Sequence, residues 1–600
     1  MTGPAQRWQL VSPPQQGIDA LAAALAIPPL LARLLLNRGL QTSAAARAFI
    51  DPQLAALPDP YQMADAELAA GRLADAIVAG QRICVYGDYD VDGVTSSALL
   101  YRFLGELGVK PEVFLPNRFR ESYGLDSRRL SEICDAGAQL IIAVDCGSKA
   151  VAEVKEVVAR GVDLIICDHH TFGDELPPAT ALMNPNRSDC SWPHAHPSAV
   201  GVALVLAQAT RRVLADRGWF GTGRPPPRLT DLLQYAALGT IADMMSLRGF
   251  NRIVAAHGLR RLGRSSFPGV VALKRRAHLD EIASADHVGF ILGPRINAAG
   301  RVASATVAFT MLTTASHEEA AELADQIEVE NNRRRELQAV VSPAAIQAAD
   351  NQVGREHAVV VSDPDWHEGV VGIVAARVKN HFAVPAFVLS VKDGIAKGSG
   401  RSIEQYDLVA GLREIAGPAA PGGLLRRYGG HRYAAGVTLD AARIDDFRAA
   451  LVAHVAATLP LNERLNAIRI DAELTLDALS LAVVEQLDRL EPFGKDNPRP
   501  AFLLRDVVIA QLQLVGQGKD WARLRLVEQS DRPLWARQGV KAFGPAAPFA
   551  TFSDGDNVDV VFRLERNNFR GEVSLQATIV ALAPAGQPVQ DIAPEPSVQV

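Results

Sequence analysis

Apolar residues along this chain follow three successive patterns. Between about residues 60 and 260, short runs rich in β-branched residues, at 82–86, 112–115, 140–144 and 164–167, alternate with helical stretches such as 95–107 and 148–160. Buried parallel strands read as continuous apolar runs, so this alternation predicts a doubly wound parallel sheet. A loop at Pro225-Pro226-Pro227 precedes Leu232 to Ile241, which lead into Asp243. A second α/β unit is expected from about 345 to 455, with strand runs at 357–361 and 386–390. From about 466 to 582 the pattern shifts to short alternating strands (IRIDAELTL, RDVVIAQLQLVG, WARLRLVE, NVDVVFRLERN, VSLQATIVAL), which predicts a small β-barrel.

The joints between these patterns suggest the domain limits. Residues 1–55 read as a helical preface, with a turn at Asp51-Pro52, followed by an α/β domain over 56–265. Ser316 and Glu319 form a capping box ahead of a polar helix running to about 340, which makes 266–344 an interdomain connector. Its Arg333, Arg334 and Arg335 suit either a solvated helix face or nucleic-acid contact. The second α/β domain then covers 345–460 and the barrel 461–583. Residues 584–600, rich in Pro, Gln and Ala, read as a disordered tail.

The chemistry lies at the ends of three apolar runs. Asp88, Asp90 and Asp92 follow the first, Asp145 the second, and Asp168, His169 and His170 the third. Open α/β sheets bind ligands outside the carboxyl ends of their strands, where folding alone requires no carboxylates. Two divalent cations about 3.5 to 4 Å apart can activate water and stabilise both oxygens of an in-line phosphoryl displacement. If the first turn stays extended, Asp88, Asp90 and Asp92 share one direction, while Gly87 and Gly93 let the backbone bend. Carboxylate-dominated sites suit Mn²⁺ or Mg²⁺, and an added imidazole tilts the preference to Mn²⁺. An isolated DxDxD is often a solvated acidic or calcium-type loop, but three such motifs in order point to a two-metal phosphoesterase.

The second α/β unit has glycines and cations in place of carboxylates. HEGVVGIVAARV opens a helix, GSGRS carries Ser399 and Arg401, and GGHRYAAG sets His431 in a glycine-rich turn. Glycine permits close approach of an anion, and arginine offers forked donors to phosphate. Between the units, GPRINAAGR offers Arg295, Asn297 and Arg301 to an interdomain cleft. Taken singly, each of these motifs is weak, because glycine-rich turns are usually just turns.

Composition narrows the class further. At 600 residues and 48% hydrophobic, the chain is expected to form two to four domains. Five cysteines, an odd number without a CxxC pair, argue against a disulfide framework or zinc ribbon and for a reducing, cytoplasmic setting. The apolar stretch from Leu21 to Leu36 is broken by Pro28, Pro29 and Arg33 and lacks a signal-peptide pattern, so no membrane span is expected. A net charge of -6 argues against uniform coating of nucleic acid and leaves room for a local basic groove.

The ordered motifs DxDxDG, VDCG, DHH, GTIAD, GPRINAAGR, HEGVVGIVAARV, GSGRS and GGHRYAAG resemble the DHH/DHHA1 phosphoesterase superfamily. Within it, the likeness is to bacterial exonucleases that degrade single-stranded DNA from the 5′ end. It covers nearly the whole chain, including the LLARLLLNRG and EPFGKDNPRPAF segments. The resemblance implies an α/β fold class: DHH and DHHA1 domains joined by a long helix with a cleft between them, plus a C-terminal OB-fold-like β-barrel.

Carried over by motif, the resemblance implies that Asp88, Asp90, Asp92, Asp145, His169 and Asp243 ligate or orient the metals. His170 becomes a catalytic residue near the leaving group or scissile phosphate, and Asp168 a ligand or an orienter. Arg118 is placed as a phosphate contact and Tyr123 as either a base-stacking platform or a core residue. Some of Arg118, Arg295, Ser399 and Arg401 would hold a terminal 5′ phosphate, and Asn297, Arg301 and His431 complete the nucleic-acid-binding set. The implied enzyme is a monomer releasing 5′ mononucleotides in recombination and repair, alongside a single-strand-binding protein and a helicase. Alternatives within the superfamily are a phosphodiesterase for oligoribonucleotides or cyclic dinucleotides, an inorganic pyrophosphatase, and a non-catalytic scaffold.

Overall fold

The computed structural model describes residues 7–117, 124–193, 195–279, 284–302, 304–416, 423–460, 467–516, 521–530, 539–546, 549, 551–569 and 572–597. The first element among the described residues is β1 (Arg7–Val11), so the preface is not purely helical. Three helices follow, Gln15–Leu25, Pro29–Asn37 and Ser43–Ile50. Their apolar stripes (Leu31, Leu34, Leu35, Phe49) pack into the core of the distant barrel against Phe502 and Phe562. Among the described residues, no single helix is long and apolar enough to cross a membrane.

The first α/β unit contains β2 (Ile83–Tyr86), β3 (Glu112–Phe114), β4 (Leu140–Val144), β5 (Asp163–Cys167) and β6 (Ala181–Met183). They form one sheet in the order β3-β2-β4-β5-β6, and every pairing is parallel. Strands β2 and β4 are buried at every position, which explains their unbroken apolar runs. The sheet order reverses around β2 and β4, so the turns after these strands open into a crevice at the topological switch point. Helices Val91–Glu106, Ala199–Asp216 and Leu229–Ala242 pack against one another beside it.

A single helix, His317–Asp350, is 34 residues long and so spans about 50 Å. It runs about ten residues beyond the expected end, passing through Pro343. Its start is only half of the expected capping box. The Ser316 hydroxyl accepts from Glu319 N, but the Glu319 carboxylate takes the Thr314 hydroxyl instead of the cap's N–H. The second α/β unit has β7 (Val359–Asp363), β8 (Ala386–Lys392), β9 (Ile395–Arg401), β10 (Arg427–His431) and β11 (Ala434–Asp440), in the order β10-β11-β9-β8-β7.

The last unit brings in β12 (Ala467–Ile470), β13 (Ala472–Glu473), β14 (Phe502–Val515), β15 (Trp521–Val527), β16 (Gly539–Pro545), β17 (Asn557–Phe569), β18 (Glu572–Pro584) and β19 (Val589–Ile592). Pairing runs β14-β15-β16-β18-β17 and returns from β17 to β14, which closes a five-stranded barrel. The disordered tail expected over 584–600 is corrected for its described residues, 584–597. β19 lies parallel to β1, which on its other side pairs with β12, and Glu595 bridges Arg248 (2.6 Å) and Arg469 (2.9 Å). A four-residue strand (VQDI) is too short to carry a periodicity of its own, and its order comes from partners at the far end of the chain.

Candidate active site

Each acidic motif sits at the carboxyl end of a buried strand, in a turn with its own backbone requirement. After β2, the chain does not continue extended through all three aspartates. Asp90 instead caps the helix Val91–Glu106, its Oδ1 accepting from Asp92 N (2.9 Å) and Gly93 N (3.3 Å). A Cβ on Gly93 would lie 2.6 Å from the Asp88 backbone, so only glycine lets the turn close this tightly. Asp92, inside the first helical turn, is buried and accepts from Ala199 N (2.7 Å) and Val200 N (3.0 Å). Burial and the neighbouring Asp90 nevertheless push its carboxyl up to about 7.

The other turns converge on the same point. Asp145, after β4, is buried and holds a left-handed φ of 63°, a strained conformation for a non-glycine residue. Burial and the charges of Asp90, Asp92, Asp88 and Asp243 raise its carboxyl well above the ordinary range. Asp243 ends the helix Leu229–Ala242 and is raised for the same reasons, burial first and then Asp92 and Asp90. Gly239, one turn earlier, allows this approach, because a Cβ there would sit 2.6 Å from Asp92 Oδ1.

The two adjacent histidines have opposite roles. His169 Nε2 makes no hydrogen bond, yet carboxylate oxygens of Asp145, Asp243 and Asp92 lie 3.4, 3.5 and 3.8 Å away. Burial and the charge of His170 lower its pKa to about 4, so the ring is neutral. His170 is opposed by burial, but the hydrogen bond and charge of Asp168 outweigh it and raise the imidazole to about 9. Asp168 is fully engaged. Its Oδ1 accepts from His169 N (2.7 Å) and contacts His170 Nδ1 (2.8 Å), while Oδ2 accepts from Ser148 N (3.0 Å). Three groups with metal-ligand geometry result: Asp88, Asp90 and Asp145; Asp92, His169 and Asp243; and Asp145, Asp168, His169 and His170.

Sequence reasoning missed the residues that hold the histidine turn. Buried Asn184 donates to Ser148 Oγ (2.8 Å) and the His170 carbonyl (2.9 Å), and Asn186 donates to the His169 carbonyl (2.6 Å). Both asparagines lie in MNPNR just after β6, and only their place at another strand's carboxyl end could have marked them.

GPRINAAGR supports this site from below. Asn297 Oδ1 accepts from Val91 N (3.2 Å), and a Cβ on Gly300 would lie 2.5 Å from the Tyr89 carbonyl oxygen, so this helix braces the DYD turn. The expectation that Arg295 reaches a phosphate is corrected. The side chain is buried, its Nε and Nη2 paired with Glu328 (2.7 and 3.2 Å) and its Nη1 with the Ile291 carbonyl (2.9 Å). Its donors tie this helix to the long connector. The Arg118 and Tyr123 assignments, and the side chain of Arg301, lie outside the described residues.

In the second unit, Arg401 on β9 and His431 on β10 are in register across Ala434 of β11, so their side chains rise from one face. His431 therefore lies at the end of an edge strand, not in a turn. Ser399, two residues before Arg401, shares that face, and both side chains border Gly372 at the start of the helix Val371–Phe382. Nothing lies within 4 Å of a Cβ built on Gly429, which leaves an open shelf beside them. His431 on this shelf lies near enough to His170 of the acidic cluster to feel its charge. Partial desolvation and the charges of Arg401, His170 and Lys495 together lower the pKa of His431.

Comparison with known proteins agrees with this architecture. Residues 82–240 match the DHH family N-terminal domain, 356–457 the DHHA1 domain and 470–581 the RecJ OB domain. The chain is 34% identical to the single-stranded-DNA-specific exonuclease RecJ of Dickeya dadantii, over 93% of this chain and 96% of that one. Against the Bacillus subtilis relative of the same name the identity is 35%, over 89% of this chain and 66% of that one. The fold is similar to the crystal structure of Thermus thermophilus RecJ in complex with Mn²⁺, with a TM-score of 0.81, 32% identity and coverage of 97% of this chain and 80% of that one. The same protein in complex with Mg²⁺ gives a TM-score of 0.75 at 29% identity. From its strand-end carboxylates to its closing barrel, the chain belongs to the RecJ family of DHH exonucleases.

Proposed function

We propose that this chain is a metal-dependent exonuclease that degrades single-stranded DNA from the 5′ end and releases 5′ mononucleotides. The observation that carries the reading is His169 Nε2, a neutral nitrogen without a hydrogen bond, facing three carboxylate oxygens at 3.4 to 3.8 Å. Carboxylates crowded this closely stay ionised only if cations offset their charge, and the oxygen-plus-imidazole donor set fits Mn²⁺, with Mg²⁺ as substitute. Asp88, Asp90 and Asp145 would hold one ion and Asp92, His169 and Asp243 the other, with Asp145 facing both groups. When bound, such a pair lowers the pKa of water and neutralises charge on a phosphoryl oxygen.

The protein's own groups position the strand. His170, held as an imidazolium by Asp168, donates to the scissile phosphate and can pass its proton to the leaving 3′ oxygen. Ser399 and Arg401, beside the first turn of the helix Val371–Phe382, bind the terminal 5′ phosphate. On the barrel, Trp521, Arg523 and Arg525 alternate along β15, and Lys541 and Phe543 on β16 stand in register with Arg525 and Arg523. Aromatic rings interleaved with cations suit sequence-tolerant stacking, worth about 1 to 3 kcal/mol per base. The reading carries with it a cytoplasmic, monomeric enzyme of DNA recombination and repair, partnered by a single-strand-binding protein and a helicase.

The test compares a long 5′-phosphorylated single strand, the same strand in a duplex, and a dinucleotide, each with Mn²⁺. Release of mononucleotides from the long single strand alone is expected. Turnover confined to the dinucleotide would move the assignment to a small-substrate phosphodiesterase.

A further inference from the structure

The final module contributes more than the barrel to the neighbourhood of the acidic cluster. Between the helix Leu481–Asp488 and β14, the segment 490–498 turns back on itself. Gly494 and Asn497 exchange both backbone hydrogen bonds (2.9 and 3.1 Å), and Asp496 takes a left-handed φ of 59°. The turn is fixed from inside by Asn497, which is fully buried, donates to the Leu490 and Pro492 carbonyls (both 2.8 Å) and accepts from Arg38 Nε (2.8 Å). It is also fastened to the first α/β unit. Leu247 N donates to the Lys495 carbonyl (3.0 Å), and Arg248 Nε donates to the Asp496 carbonyl (3.1 Å). A Cβ on Gly494 would stand 2.6 Å from Leu247 Cδ1, so the approach is as close as glycine allows.

Leu247 follows Asp243 by only four residues, and the residue whose carbonyl it holds is Lys495. Its side chain is exposed, and among the described residues its ammonium forms no ion pair. The backbone that carries it is fastened at both ends, so the ammonium stays within the reach of one flexible lysine stem from that turn. Its charge is felt both by Asp243 of the acidic cluster and by His431 of the shelf.

We infer that Lys495 is a substrate-contact residue, a phosphate anchor that the C-terminal module lends to the cleft between the acidic cluster and the Arg401–His431 shelf. The inference rests on the exonuclease reading. A strand between the cluster and the shelf brings polyanionic charge toward a site that is itself acidic, and an exposed lysine offsets that charge as a point contact. The contact is to the backbone, so it selects for a nucleic-acid strand and against small esters without selecting a base sequence.

The test uses full-length Lys495→Ala and Lys495→Arg proteins, with 5′-phosphorylated oligothymidylate as probe. Binding is followed by fluorescence anisotropy over a range of NaCl concentrations, turnover with Mn²⁺ by release of mononucleotide, and Mn²⁺ affinity by calorimetry. Loss of one phosphate contact lowers the slope of log Kd against log salt by about 0.7 and weakens binding at low salt by about tenfold in the alanine variant. KM rises with kcat nearly unchanged, the arginine variant restores the slope, and Mn²⁺ affinity stays at the parent value. An unchanged slope in the alanine variant overturns the inference, as does a changed Mn²⁺ affinity with a parental slope, which would make Lys495 a partner of Asp243 alone. Failure of the parent protein to bind or degrade the oligonucleotide would instead count against the exonuclease reading.

Discussion

His170 Nδ1 lies 2.8 Å from Asp168 Oδ1, and this contact divides the chemistry of two neighbouring histidines. With Asp168 beside it, His170 is an imidazolium up to about pH 9, whereas His169 titrates near 4 and is free to act as a neutral ligand. Pairs of titratable groups driven apart in this way mark a division of labour between acid and ligand. Asp168→Asn removes the charge while keeping the shape. As an acid, His170 acts only while protonated, so activity in the parent falls as pH rises through about 9. In the variant that fall moves toward the ordinary histidine range near 6.5, and kcat at pH 8 drops by about thirtyfold. A pH–rate profile checks both, and an unmoved alkaline limb would contradict the role given to His170.

Metal binding and apo-protein stability have opposite pH dependences. The Asp92 carboxyl sits near 7 in the fold and near 3.8 when unfolded, so between these values the folded chain binds more protons. Stability of the metal-free protein therefore falls as pH rises through that window, because the unfolded state binds fewer protons. Cations bind the ionised form, so Mn²⁺ affinity rises over the same window and each binding event releases protons. Thermal melts from pH 5.5 to 8 with and without Mn²⁺ should show a stabilisation by metal that grows with pH. A constant increment would contradict the protonated state assigned to Asp92.

Arg401 borders Gly372 beside Ser399 and is not one of the acidic cluster's ligands. Arg401→Ala should reduce the preference for a 5′-phosphorylated over an unphosphorylated strand by about tenfold or more, the scale of one charge-assisted bidentate contact. Competition between the two strands in one reaction measures this directly. Equal losses on both would remove Arg401 from the end-binding site.

The C-terminal strand gives a stability prediction. Truncation before Val589 removes β19 from β1 and takes away Glu595, which bridges Arg248 and Arg469. Arg248 also holds the 490–498 turn, so the loss should propagate to the junction between the first and last units. A drop of about 1 to 3 kcal/mol is expected, measured as a lower denaturant midpoint for the transition that includes the barrel. A midpoint equal to the parent's would return residues 589–597 to the status of a dispensable tail.

The acidic site was legible because its ligands follow buried strands, whose apolar runs stand out in the sequence and whose ends are natural binding places. The local geometry was less so. Asp90 was expected on an extended turn and is a helix cap, because the first free N–H groups of Val91–Glu106 take its carboxylate. Arg295 reads as a phosphate ligand until Glu328, 33 residues away on the connector, takes its donors. Asn184, Asn186 and Lys495 serve the site from segments with no motif of their own, and only the folded chain brings them to it. The strand β19 escaped notice for the same reason, since its order depends on β1.

The most direct test of the account is degradation of long single-stranded DNA labelled at either end, with Mn²⁺, by the parent protein and by Asp90→Ala. Asp90 both caps the helix that carries Asp92 and belongs to one of the proposed ligand groups. Early loss of the 5′ label as mononucleotide, abolished in the variant and absent on duplex DNA, is the predicted result. Loss of the 3′ label first, or parental activity in the variant, would contradict it.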